Sequence, residues 1–133
     1  PNRYYYDALG YLGYAVSKAD GQVRREETNC LQNELTRHLG LGALSCVNQA
    51  MTTYMRAMAN NYSSQKAYQK AIELLLKNGA LEDERCQTLL ALARAIALAD
   101  DDFSDAEKWL ITRMDYEIRD MEVDADMPAP ASC

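Results

Sequence analysis

The chain has 133 residues, enough to bury one hydrophobic core without metal or disulfide staples, and it reads as a single domain. Twenty acidic residues against fourteen basic ones give a net charge of −6, which opposes binding to a nucleic-acid backbone or to an anionic membrane surface. Its four cysteines, Cys30, Cys46, Cys86 and Cys133, are far apart, with no Cys-x-x-Cys pair and no nearby histidine to complete a zinc set, so reduced thiols in a cytoplasmic protein are expected. No apolar run approaches the roughly 20 residues that cross a bilayer, and the N-terminal residues lack the apolar core of a signal peptide, so no direct membrane insertion is expected.

From Tyr5 to Ala19, Leu9, Leu12 and Val16 fall at helical spacing, and Gly10 and Gly13 leave little bulk on that helix, which predicts close packing against a neighbour. Gly21 marks its end, as the residue that most easily adopts a left-handed C-cap. A second helix is expected from about Arg24 to His38, with Cys30, Leu31 and Leu35 inward and Gly40 as its stop. The third, about Ala43 to Asn60, carries Val47, Met51, Tyr54, Met55 and Met58 on one side. Ser63 or Ser64 caps a fourth, which runs through Tyr68, Ala71, Ile72, Leu75 and Leu76 to Asn78-Gly79. The fifth spans about Glu82 to Ala99, with Cys86, Leu89, Leu90, Ala93, Ile96 and Ala97 inward. Ser104-Asp105-Ala106-Glu107 reads as a capping box that opens a sixth helix, burying Leu110, Ile111, Met114 and Ile118. After about Glu122 the acidic, Pro- and Ala-containing end reads as a solvated tail, giving a domain over residues 1–122 and a tail over 123–133. No segment alternates apolar and polar residues for long enough to make a strand, so the fold class is all-α.

One pattern occurs twice. Ala19-Asp20-Gly21-Gln22-Val23 and Ala99-Asp100-Asp101-Asp102-Phe103 each place an apolar residue three after the Asp, and Glu27 and Glu107 follow seven after it. The alignment extends to Leu12 with Leu92, Val16 with Ile96 and Leu31 with Ile111, so the repeated unit is a helix, a tight turn and a second helix. Helical phase puts Asp20 and Asp100 inward at helix ends, and Glu27 and Glu107 four residues before inward apolar positions. If the two units pack about a pseudo-twofold, these carboxylates converge, and clustered oxygens suit a divalent cation such as Ca²⁺, Mg²⁺ or Mn²⁺, with Zn²⁺ a further candidate. An ordinary EF-hand is rejected, because Val16, Lys18, Ile96 and Leu98 stand where its earlier oxygen ligands belong. The competing reading is that the aspartates cap the turns and the glutamates hold backbone donors of the following helix. Ser104 supports that for Glu107, whereas Arg24, in the matching place before Glu27, has no side-chain acceptor.

The turn Lys18-Ala19-Asp20-Gly21-x-Val23-x-x-x-Glu27, its degenerate copy Leu98-Ala99-Asp100-Asp101-x-Phe103-Ser104-x-x-Glu107, and the helical setting resemble the tellurite-resistance TerB family over about Tyr5 to Glu122. The resemblance implies a bundle of about six or seven helices with two pseudo-repeats, an acidic metal-binding surface and a role in tellurite or chemical-stress responses. It also implies a module found at the N-terminus of membrane-anchored DnaJ-like co-chaperones. Asp20, Glu27, Asp100 and Glu107 are then the candidate metal ligands, with Gly21 and Asp101 forming the turns; Asp101 replaces the second glycine, and nothing resembles a J-domain. The function expected is a non-enzymatic stress-response module that binds a divalent ion, or alternatively a helical protein-interaction domain whose acids only cap helices. No nucleophile with its base and no phosphate-cradling loop is visible. The methionine stripe, His38 and the N-terminal tyrosines are assigned to packing, and Trp109, off the inward stripe, to a domain edge or an interface.

Overall fold

Helix α1, Arg3–Lys18, is apolar on nearly every side, the pattern of a helix placed in the interior. Ala8, Leu9, Leu12, Tyr14, Ala15 and Val16 along it are all buried. The computed structural model describes residues 3–78, 83–99 and 104–126. They form five further helices, α2 Arg25–Leu39, α3 Leu44–Ala59, α4 Ser64–Asn78, α5 Asp83–Ala97 and α6 Asp105–Asp126, with one 3₁₀ turn at Leu41–Ala43. No strand occurs among the described residues, and the all-α bundle is as expected. Helices α3, α4 and α5 pack around α1, while α2 and α6 each pack on α5.

The two glycines of α1 set how close its neighbours come. A Cβ on Gly10 would lie 2.3 Å from the Ala50 carbonyl oxygen of α3, and one on Gly13 would lie 2.9 Å from a Leu31 methyl of α2. Gly21 (φ 97°) and Gly40 (φ 87°) close α1 and α2 in backbone conformations that side chains rarely adopt, each donating its N–H back to the helix it ends.

Helix α6 runs to Asp126. Burial differs from expectation at three positions. Met55 is half exposed, because the inward stripe of α3 is Val47, Ala50, Tyr54 and Ala57, at helical steps that leave Met55 one position beyond its edge. Leu76 is 64% exposed for the same reason, since Ala67, Tyr68, Ala71 and Leu75 make the inner face of α4. Cys30 is only partly buried at the margin of α2. The Gly79 stop, the Asp100-Asp101 turn and residues 127–133 lie outside the described residues.

Tyr14, Tyr54 and Tyr68 are the largest fully buried side chains, and each phenol finds a partner. Tyr14 donates to the Tyr62 carbonyl at 2.8 Å, Tyr54 donates to Ser17 Oγ at 3.2 Å and lies 2.9 Å from Thr28 Oγ1, and Tyr68 donates to the Glu117 carboxylate. Burial pushes all three phenols above their ordinary value of 10.0, because the interior disfavours the phenolate. A group whose pKa is raised on folding stabilises the fold below its unfolded pKa and loses that contribution as pH climbs through the folded one. Stability is therefore expected to be level in this respect up to about pH 10 and to fall above it. Urea titrations across that range check this. Tyr54→Phe is expected to cost about 1 kcal/mol at neutral pH, from the lost hydrogen bonds, and to make the alkaline fall shallower.

Candidate functional site: the acidic turns and the groove between α4 and α6

Residue Arg24 is extended (φ −106°, ψ 154°) and precedes the first turn of α2. Its N–H donates to Glu27 Oε1 at 2.9 Å, while its carbonyl accepts the N–H groups of Glu27 and Thr28 at 3.1 Å. The second unit repeats this arrangement and completes it. Ser104 N–H donates to Glu107 Oε1 at 2.9 Å, and Glu107 N–H donates to Ser104 Oγ at 3.1 Å, a full capping box. Both glutamates are 0% exposed. A carboxylate so deep in the protein is favoured at a helix N-terminus, where the dipole and backbone donors face it.

Asp20 sits 12% exposed at the end of the first turn, inward as expected. Its Oδ1 accepts the Gln22 N–H at 3.1 Å and its Oδ2 accepts Arg24 Nη1 at 2.7 Å. Arg24 thus forms half of a capping box through its backbone and uses its side chain to neutralise Asp20. The guanidinium occupies the cationic place beside that carboxylate. Among the described residues no group of three or more His, Cys, Asp or Glu side chains is gathered closely enough to hold a metal ion. Of the four candidate ligands, Asp20 and Glu27 flank one turn and Glu107 opens the other, but α2 and α6 pack on α5 rather than on each other. Asp100 lies outside the described residues. Among the described carboxylates, Glu27 and Glu107 hold helix starts and Asp20 forms an ion pair. Near this turn, Cys30 Sγ donates to the Ala95 carbonyl at 3.4 Å, and burial, then the charges of Glu34 and Glu27, push its thiol up, which keeps it a poor nucleophile at neutral pH.

A second feature was not legible as a site in the sequence. Helices α4 and α6 run side by side in the same sense, separated by an open groove. A hollow of about 270 Å³ lies between their first turns, over Tyr68, Trp109 and Arg113, and another of about 390 Å³ continues past Ile72 and Glu117. The Arg113 guanidinium lies 4.8 Å from the centre of the Tyr68 ring and 5.6 Å from that of Trp109, with Nε 3.5 Å from Glu117. Trp109 is 63% exposed and Tyr116, two turns along α6, 80%. The spacing Trp109, Arg113, Glu117 is a helical step of four that could have flagged this face.

A family model described as tellurite resistance protein TerB matches residues 7–121. The chain belongs to the TerB family. The match takes in most of α1, the whole of α2 to α5 and most of α6, so both acidic turns and both walls of the groove are parts of the TerB domain. Comparisons with curated proteins and with solved structures give no match. No helix among the described residues of this TerB chain is long and apolar enough to cross a membrane.

Proposed function

We propose that this TerB-family chain is a non-enzymatic module of a cytoplasmic stress response, in which the acidic turns hold helix ends and the groove between α4 and α6 receives a protein partner. The observation that carries this reading is the exposed Trp109 paired with Arg113 over an open groove, with a second exposed aromatic, Tyr116, farther along the same helix. Trp, Tyr and Arg are the residue types that most often anchor interfaces. Of the oxygens that would serve a metal, Glu27 Oε1 and Glu107 Oε1 accept backbone N–H groups, and Asp20 accepts a backbone N–H and an arginine. His38 faces Glu34 at 3.5 Å, and the Cys30 thiol is held protonated. Photo-crosslinking in cells from a reactive amino acid at position 116 tests the reading. A discrete protein adduct that disappears with Trp109→Ala is expected, and adducts that form only from a control position on the outer face of α2 would overturn it.

A divalent-ion site drawn from Asp20, Glu27, Asp100 and Glu107 is the second reading. It is favoured by the recurrence of a fully buried carboxylate at the same place in both repeated units. Calorimetric titration with Ca²⁺, Mg²⁺, Mn²⁺ and Zn²⁺ tests it, and heat that is unchanged by Asp20→Asn with Glu27→Gln counts against it.

A further inference from the structure

The two hollows between α4 and α6 are one trench, since Tyr68 and Arg113 line both. Its floor is closed by side chains: α4 and α6 are not a closely packed pair, and the Tyr68 hydroxyl bridges them by donating to Glu117. On the same helix faces, residues repeat at steps of three or four: buried Tyr68, partly buried Ile72 and exposed Leu76 on α4, and exposed Trp109, partly buried Arg113 and exposed Tyr116 on α6. Ridges spaced in this way accept the side chains of another helix. Trp109 and Glu117 are about 12 Å apart along the axis at about 1.5 Å per residue, a length that two to three turns of a partner would cover.

The trench is also polar along its length. At one end lie the first turns of α4 and α6; Asp105 and Glu107 already meet the dipole of α6, that of α4 presents its positive end with no acidic residue in its first turn, and Arg113 is the only charged side chain among the described residues lining that hollow. At the other end Glu73 and Glu117 join the lining. An occupant that complements this field carries negative charge toward Ser64 and Arg113 and positive charge toward Glu73. A helix meets both requirements best when it runs opposite to α4, because its own negative dipole end then faces the positive end of α4.

We infer that the trench takes one amphipathic helix of a partner protein, antiparallel to α4 and α6, with carboxylates in its C-terminal half over Arg113 and basic side chains in its N-terminal half beside Glu73. This rests on the protein-interaction reading above. The chain holds a single tryptophan, and it stands on the trench wall, so binding is read directly from Trp109 emission.

The probe is a pair of synthetic helical peptides of about 14 residues, with leucines at alternating steps of three and four. One carries Lys in its first two turns and Glu in its last two, and the other carries these charges exchanged. With the full chain, the first peptide is expected to shift Trp109 emission to the blue, saturably, and to bind at least about tenfold more tightly than the second. Arg113→Glu combined with Glu73→Lys and Glu117→Lys is expected to reverse that preference. Glu73→Lys alone, at an exposed position that folding does not depend on, is expected to narrow it. Equal binding of the two peptides, no saturable shift with either, or a shift on raising protein concentration alone with doubled mass in sedimentation would each overturn the inference, the last by showing a second copy as the occupant. A crosslinked partner at position 116 together with equal peptide affinities would sink this inference and leave the interaction reading standing. Absence of any adduct there would remove both.

Discussion

Gly10→Ala is expected to lower stability by about 3 kcal/mol, although in an exposed helix the same change would raise it by about 1 kcal/mol. The sign is decided by what the new methyl meets. It would lie 2.3 Å from the Ala50 carbonyl oxygen and 2.9 Å from Thr53 Cβ, and the first of these is backbone, which cannot rotate away. Helix α3 must retreat from α1, and that movement loosens Ala50, Thr53 and Tyr54, all buried at this contact. Losses of this kind also remove the hydrogen bond between Thr53 and Asp7, at 2.9 Å across the same pair of helices. Urea unfolding at neutral pH measures the change, and thermal unfolding is expected to fall by roughly 10 °C for a chain of this size. Gly42→Ala is the control, because a Cβ there meets nothing within 4 Å. A variant at position 10 as stable as the parent would show that α1 and α3 do not approach as closely as described.

That contact could be anticipated, because Gly10 and Gly13 interrupt an otherwise bulky helix and small residues in such a place permit close approach. The inward stripes of α5 and α6 were equally plain, since Leu89, Leu90, Ala93 and Ile96, then Leu110, Ile111, Met114 and Ile118, recur at the period of a helix and are buried. The Ser104–Glu107 capping box was readable because its two residue types and their spacing are a local matter. The Arg24–Glu27 cap was harder: arginine offers no acceptor, so the sequence suggested no full capping box there, yet the half that matters needs only a glutamate and any backbone N–H. The groove escaped notice for a different reason. Periodicity tells which side of each helix turns inward, but not which outer sides come to face one another, and Tyr68 meets Glu117 across 49 positions of chain. Convergence of Asp20, Glu27, Asp100 and Glu107 likewise depends on how the repeats are joined, which no local spacing specifies.

Glu27→Ala and Glu107→Ala are each expected to cost about 2 kcal/mol, roughly half from the lost cap and half from the hole left by a fully buried side chain. Glutamine at either position keeps an oxygen that accepts the same N–H, and Gln serves in capping boxes as Glu does, so Glu27→Gln and Glu107→Gln are expected to lose less than half as much. This separates the two readings of the acidic turns. If the carboxylates are caps, the ranking is the same with or without divalent ions. If they are ligands, a saturating ion adds about 2.7 kcal/mol to the parent at a hundred times its dissociation constant, and glutamine, lacking the charge, forfeits most of that gain. The double variant carries the geometric part of the question. Caps on helices that pack separately on α5 act independently, so the two alanine losses are expected to add to within about 0.5 kcal/mol. Carboxylates that share one site do not add, because removing the first already dismantles the place the second occupies. Additive losses, unmoved by ions, would make each glutamate the keeper of its own helix start; a coupling of more than about 1 kcal/mol would bring the two turns together at one centre.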